Sequence, residues 1–311
     1  MHEAYLDPEL AAALAARGGT PAPLTPERVP QWQQADAAAR PRPGVPELTA
    51  DGRFEAGVGD GVVWARPSGA RGRLPVLYYL HGGGLIGGNA YAVLPRVLRE
   101  LAEPLGLAVV SVEYPLAPGA RYPEPLHACR DALHRTLADA DLLGIDPERV
   151  ILAGKSAGGG LAAALALLLR DKGGPAVIGQ LLLSPMLDDR GDTASGRQLT
   201  GHDTWDAVSN ATAWSAALGP RRGAPDLPPY AAPARAASLA GLPPAYLEVG
   251  SAETFRDEVV AYANTLWQSG GHAELHVWPG AFHGFDTLVP DAAVSRTAAA
   301  ARREWLRRLL A

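Results

Sequence analysis

The sequence predicts an α/β fold in which a mostly parallel central sheet carries helices on both faces. Three observations lead there. From residue 52 onward, short apolar runs bounded by turn residues alternate with helical stretches, the order in which strands and helices follow one another around a parallel sheet. Several runs are continuous Val, Leu and Tyr segments, as strands buried on both faces require. Hydrophobic residues make up 47% of the 311-residue chain and charged residues 20%, which is enough apolar side chain to fill one large core.

Taken in order, residues 7–17 (DPELAAALAAR) open with acidic residues suited to a helix N-terminus and stop before Gly18 and Gly19, a helix-ending signal. A second helical stretch covers about 25–39, and proline-rich joints near 21–30 and 41–46 set both helices apart. Residues 1–48 therefore read as an appendage. The core begins with residues 49–185, with strands expected at 61–65, 74–80, 107–114, 150–153 and 181–184 and helices near 91–102, 123–143 and 158–171. The rhythm breaks over 186–240, a stretch rich in Pro, Gly, Asp and Trp that is too long for a simple connection and reads as an insertion over one end of the sheet. Residues 241–311 return to the core pattern, with strands at 245–249 and 274–278 and helices near 254–269 and 291–310. Glycine and proline, 35 and 28 residues, amount to about a fifth of the chain, short of the roughly 25–30% that marks disorder.

Composition excludes several classes. Twenty-eight basic residues against 33 acidic give a net charge of −5, the opposite of the footprint that a phosphate backbone selects, so no nucleic-acid partner is expected. Cys129 is the only cysteine, which rules out an internal disulfide and a cysteine-based zinc cluster and suits a reducing compartment. The N-terminus MHEAYLDPEL has no basic-then-apolar signal, and the longest apolar run, 161–169, falls short of the roughly 18 residues of a membrane span. The expectation is a cytoplasmic protein with no membrane partner; assembly into a homo-oligomer is left open.

The chemistry concentrates in three places. The strand at 150–153 runs into Gly154-Lys155-Ser156-Ala157-Gly158 and then into an alanine- and leucine-rich helix. This is G-x-S-x-G in a strand-turn-helix setting, where flanking glycines permit a turn too tight for larger side chains and expose the serine. A phosphate-binding loop would place its lysine after the last glycine, whereas Lys155 precedes the serine. The strand at 74–80 ends in His81-Gly82-Gly83-Gly84; such a loop lets backbone N–H groups approach a developing oxyanion. His81 is expected to orient this loop. Of the eight histidines, His283, in the loop after the last expected strand, is the best base for a serine. His127 and His134 fall on a helix, His272 and His276 flank a strand without further ligands, and His2 and His202 lie in the terminal and inserted segments. No metal site is expected.

Together these motifs resemble the hormone-sensitive-lipase-like family of α/β-hydrolase esterases over nearly the whole chain. HGGG at 81–84, GKSAGG at 154–159, VEYPLAPGARYPEPLHACRDAL at 112–133, SPMLDDR at 184–190, AGLPPAYLEVGSAETFRDE at 240–258 and AFHGF at 281–285 carry the likeness. Pro115 and Gly119 depart from the family's Y-R-L-A-P-E segment, and Lys155 stands where many relatives carry an acidic residue. The resemblance implies an α/β-hydrolase fold with a helical cap formed by residues 1–48 and 186–240. It also implies Ser156 as nucleophile, His283 as base, and Gly83, Gly84 and Ala157 as oxyanion donors. Glu253 stands where most relatives have the triad aspartate; Asp257, and Asp188 or Asp189, remain alternatives. Leu85, Trp205 and Trp214 are candidates for an apolar substrate pocket, with packing of the cap as the competing role for each.

The expected activity is cofactor-free hydrolysis of small, short-chain carboxylic esters through an acyl-enzyme. The same machinery could serve amides, lactones or carbamates. A non-enzymatic ligand-binding relative that has lost the histidine is the alternative from another class, and the presence of His283 argues against it.

Overall fold

Residues 5–39, 44–201 and 203–311 are described in a computed structural model of the chain; His2, His202 and part of the second proline-rich joint lie outside them. Eight strands among the described residues form one sheet: β1 (Phe54–Gly59), β2 (Val62–Pro67), β3 (Leu74–Leu80), β4 (Ala108–Val112), β5 (Ile145–Lys155), β6 (Gly179–Leu183), β7 (Ala245–Gly250) and β8 (Ala273–Trp278). Their order is β1-β2-β4-β3-β5-β6-β7-β8. The first two strands pair antiparallel, as do β2 and β4, and all other neighbours are parallel.

The central strands alternate between two cores, because successive side chains point to opposite faces. On β3, Val76, Tyr78 and Leu80 enter one core while Leu77 and Tyr79 enter the other. The first core is closed by helices Glu124–Ala138, Ala157–Lys172 and Arg256–Gln268, through residues such as Leu133, Leu165 and Val259. The second is closed by the segment around Leu94–Ala102 and by helix Ala293–Leu310, through Leu98, Trp305 and Leu306. Each of the seven strands expected from the sequence overlaps one of β2 to β8, with 61–65, 107–114 and 181–184 running one or two residues past the observed ends. β1 was not expected: its sequence FEAGVG holds two glycines, and as an edge strand it buries only Phe54, so it lacks the apolar run that marks a central strand.

The N-terminal segment is tied to the body rather than hung from it. Helix Pro8–Ala16 inserts Leu10 and Leu14 among Trp278, Phe282 and Phe285, and the Asp7 N–H donates to Gly280 O at 3.0 Å. Farther on, the Leu24 N–H donates to Ser209 Oγ at 2.9 Å. Residues 186–240 hold helices Ala194–Gln198 and Ala207–Leu218 with turns between and beyond them, and Ala213, Trp214 and Leu218 join the first core.

Candidate active site

β5 ends at Lys155, helix Ala157–Lys172 starts two residues later, and Ser156 makes the turn between them at φ 57° and ψ −124°. Such a conformation costs a non-glycine residue about 1–3 kcal/mol and persists only where the surroundings over-determine it. They do so here. The Ser156 N–H donates to Leu183 O at 2.8 Å, and Ser156 O accepts from the Gly160 and Met186 N–H groups at 3.0 Å each. The flanking glycines are required by space: a Cβ on Gly154 would meet Gly158 O at 2.2 Å, and one on Gly158 would meet Leu80 O at 2.0 Å.

His283 Nε2 lies 3.1 Å from Ser156 Oγ, and His283 Nδ1 lies 2.7 Å from Glu253 Oε1. Because a carboxylate only accepts, the proton of neutral His283 sits on Nδ1 and leaves Nε2 to accept from the serine hydroxyl. Glu253 is fully buried, and its Oε2 accepts from Ser184 Oγ and the Gly250 N–H at 2.9 Å each. The edge of Phe255 meets the imidazole ring at a centroid distance of 5.2 Å. Ser156 is 6% exposed, so these polar groups interact where water screens them little.

The alternative acids are engaged elsewhere. Asp257 accepts from the Ser195 N–H at 2.7 Å and pairs with Arg256 at 2.8 Å. Asp188 pairs with Arg190, and Asp189 with Arg235. Among the other histidines, His127, His134 and His272 are exposed, and His276 pairs with Glu274. Among the described residues, no group of three His, Cys, Asp or Glu side chains is placed to hold a metal ion.

The glycine loop lies against the serine turn, since a Cβ on Gly82 would meet Lys155 O at 2.9 Å and Ser156 Cβ at 3.3 Å. Gly83, at φ +127°, and Gly84, at φ +62°, adopt backbone conformations that favour glycine. The loop folds back on itself through the Ile86 and Gly87 N–H groups, which donate to Gly83 O at 3.1 and 2.9 Å. His81 stacks on Tyr114 at 4.1 Å, and the Tyr114 hydroxyl donates to His81 O at 2.6 Å.

The sequence profile of the α/β hydrolase fold matches residues 77–287, a span that takes in the glycine loop, Ser156, Glu253 and His283. The chain belongs to the α/β hydrolase fold family. This hydrolase is 36% identical to carboxylesterase NlhH of Mycobacterium tuberculosis over 244 residues, 75% of this chain and 73% of that one. It is 34% identical to an acetyl-hydrolase of Streptomyces hygroscopicus over 230 residues, 71% and 70% of the two chains. Alignments with such curated relatives span 65 to 73% of their lengths. The solved structure of a bacterial heroin esterase matches with a TM-score of 0.87 at 37% identity, covering 99% of this chain and 98% of that one.

Several residues of the hydrolase's site were not found by sequence reasoning. Asp203, in the 186–240 segment, accepts from the His283 N–H at 3.0 Å through Oδ1 and from the Thr254 N–H at 3.0 Å through Oδ2. It thereby joins the loops that carry His283 and Glu253, and neighbouring Thr204 donates to His283 O. Burial, and then the charge of Glu253, push the Asp203 carboxyl up to about 6 against the pull of His283 and these amides. From helix Val29–Ala39, Gln33 Nε2 donates to Ile86 O at 2.7 Å and Asp36 Oδ2 accepts from the Gly88 N–H at 2.7 Å. No spacing rule joins residues 50 to 80 positions apart, and only the fold reveals them.

The expected pocket residues divide. Trp205 stands against the glycine loop, where a Cβ on Gly84 would meet its ring at 2.5 Å, and it lies 6.3 Å from Trp32. Leu85 is half-buried in the loop at φ 63°. Trp214, 2% exposed, packs in the core.

Proposed function

We propose that this α/β hydrolase is a serine carboxylesterase acting on small, short-chain esters, with Ser156 as nucleophile, His283 as base and Glu253 as the acid that orients it. The observation that carries this reading is the unbroken chain from Glu253 Oε1 through both ring nitrogens of His283 to Ser156 Oγ. In the first half-reaction His283 Nε2 takes the hydroxyl proton as Ser156 Oγ bonds to the ester carbonyl carbon. The carbonyl oxygen becomes an oxyanion, and the N–H groups of Gly83, Gly84 and Ala157 are the donors that receive it. Ala157 opens a helix, so its amide has no acceptor within that helix. Collapse of the tetrahedral intermediate passes the proton from His283 to the departing alkoxide and leaves an acyl-serine. Water, deprotonated by His283, then attacks the acyl carbon and releases the acid and free Ser156.

The acyl preference rests on Trp205, whose bulk beside Gly84 limits the room next to the reacting carbonyl. The acetyl-hydrolase relative points the same way. We place the protein in the cytoplasm on the ground that its one cysteine, Cys129, is free and buried.

An organophosphate tests the assignment. It should label Ser156 alone with one-to-one stoichiometry, and Ser156→Ala should abolish hydrolysis of p-nitrophenyl acetate in a protein of unchanged circular dichroism. Labelling of a different serine, with Ser156→Ala still turning over, overturns the reading. Turnover of amides or lactones ahead of esters would keep the machinery and change the substrate class.

A further inference from the structure

The residue before the nucleophile is a lysine, one of only two in the chain. Lys155 is mostly buried, and its ammonium pairs with Asp286 Oδ1 and donates to Thr287 Oγ1 at 2.6 Å. Both partners lie on the helical turn Phe285–Leu288, three and four residues beyond His283. Asp286, 2% exposed, also pairs with Arg302 at 2.7 Å and Arg96 at 3.1 Å. Arg302 in turn pairs with Glu248 of β7, and Arg96 with Glu100 at 2.8 Å. Three cations thus face three carboxylates, and the cluster is neutral as a whole.

We propose that Lys155 is a positioning residue that ties the serine turn to the loop carrying His283 and so holds Ser156 Oγ within reach of His283 Nε2. The proposal rests on the catalytic reading above. Ser156 is covalently next to Lys155, and Asp286 stands one short turn past the histidine, so the ion pair spans the gap that the Oγ–Nε2 hydrogen bond must also span. Neither side of that gap is otherwise joined through sequence, since 127 residues separate Ser156 from His283.

The charges explain why a cation fits here. Burial alone would push the Asp286 carboxyl up, but Lys155, Arg302 and Arg96 outweigh it and hold the group well below the usual carboxylate range. An acidic residue at 155 would set a second carboxylate beside Asp286 and leave the cluster with an excess of buried negative charge, an arrangement that low-dielectric surroundings penalise. The lysine and Asp286 are therefore complementary choices. After loss of Lys155, Asp286 still keeps two guanidinium partners, so the fold is expected to survive.

The test uses Lys155→Met, Lys155→Arg and Thr287→Val in the full chain. In Lys155→Met, kcat on p-nitrophenyl acetate should fall at least tenfold with KM changed less than twofold. The rate of Ser156 modification by an organophosphate should fall in parallel, and its stoichiometry should stay at one. Lys155→Arg should recover most of the loss, because a guanidinium restores the charge and the bond to Asp286. Thr287→Val, which removes the hydrogen bonds from Lys155 and Arg96 and no charge, should lower kcat by about two- to fivefold. A folded Lys155→Met with wild-type kcat and labelling rate overturns the tether. If Lys155→Met does not fold, wild-type kcat in Thr287→Val overturns it in favour of a purely structural ion pair. Failure of Ser156 to label in the wild-type protein would instead overturn the catalytic reading on which the tether rests.

Discussion

Glu253 is held at both oxygens, with Oε1 on His283 Nδ1 and Oε2 on Ser184 Oγ and the Gly250 N–H. That double anchorage gives the glutamate stem one defined position. A glutamine there would keep the volume but carry an NH2 group, which donates. If the NH2 faced Nδ1, it would force the ring proton onto Nε2, the nitrogen that must accept from Ser156. If it faced the other way, it would confront the Gly250 N–H. Glu253→Gln is therefore expected to lower kcat by about 10³- to 10⁴-fold with KM and melting temperature little changed. Asp257→Asn should cost less than about tenfold, because Asp257 binds the Ser195 N–H and Arg256 rather than the imidazole. Steady-state kinetics on the two purified variants decide between the acids, and the opposite ranking would move the role to Asp257.

At the scale of elements, what was legible in the sequence is what is local. The serine turn, the glycine loop and the histidine loop each announce themselves within about six residues, because tight backbone geometry demands glycines at fixed offsets. The central strands were legible because burial on both faces requires unbroken apolar runs. Edge strand β1 was not, and neither were the braces that reach the site from afar: Gln33 and Asp36 on the glycine loop, and Asp203 under the histidine loop. These side chains are ordinary surface residues until the fold gives them a buried backbone amide or carbonyl to meet. Asp203 also makes the brace measurable through pH. Its folded carboxyl titrates at about 6 against an ordinary 3.8, so between those values the folded state binds more protons than the unfolded one. Stability from this group is thus fully present below about pH 4, falls as pH rises to about 6, and is level above; the total is roughly 3 kcal/mol. Urea unfolding of the wild type and Asp203→Asn across pH 4 to 7 should show the wild type losing stability relative to the variant by that order. A difference that does not change with pH would mean that Asp203 is not the titrating group.

For the molecule as a whole, the second N-terminal helix and residues 186–240 both contact the loops that carry the glycine turn and His283, and this bears on what can reach Ser156. Helix Val29–Ala39 grips the glycine loop, Trp32 and Trp205 meet above it, and Asp203 and Thr204 grip the histidine loop. No helix among the described residues is long and apolar enough to cross a membrane, and the net charge of the chain is −5. In the proposed catalysis the reacting carbonyl is bounded by Trp205 beside Gly84 on one side and by half-buried His283 on the other, which limits the acyl chain. Each added methylene that finds apolar wall should gain about 0.8 kcal/mol, until the space is full and strain reverses the trend. The highest kcat/KM is therefore expected on p-nitrophenyl esters of about C2 to C8 acids, with little activity on emulsified long-chain triglycerides. The rate plotted against triglyceride concentration should show no jump at the solubility limit. Trp205→Ala should move the optimum toward longer chains, because it removes the wall beside Gly84. A wild-type preference for acyl chains of about C14 or longer, or a sharp rise in rate at the emulsion interface, would mean that the covering helices open onto lipid and that Trp205 does not bound the acyl site.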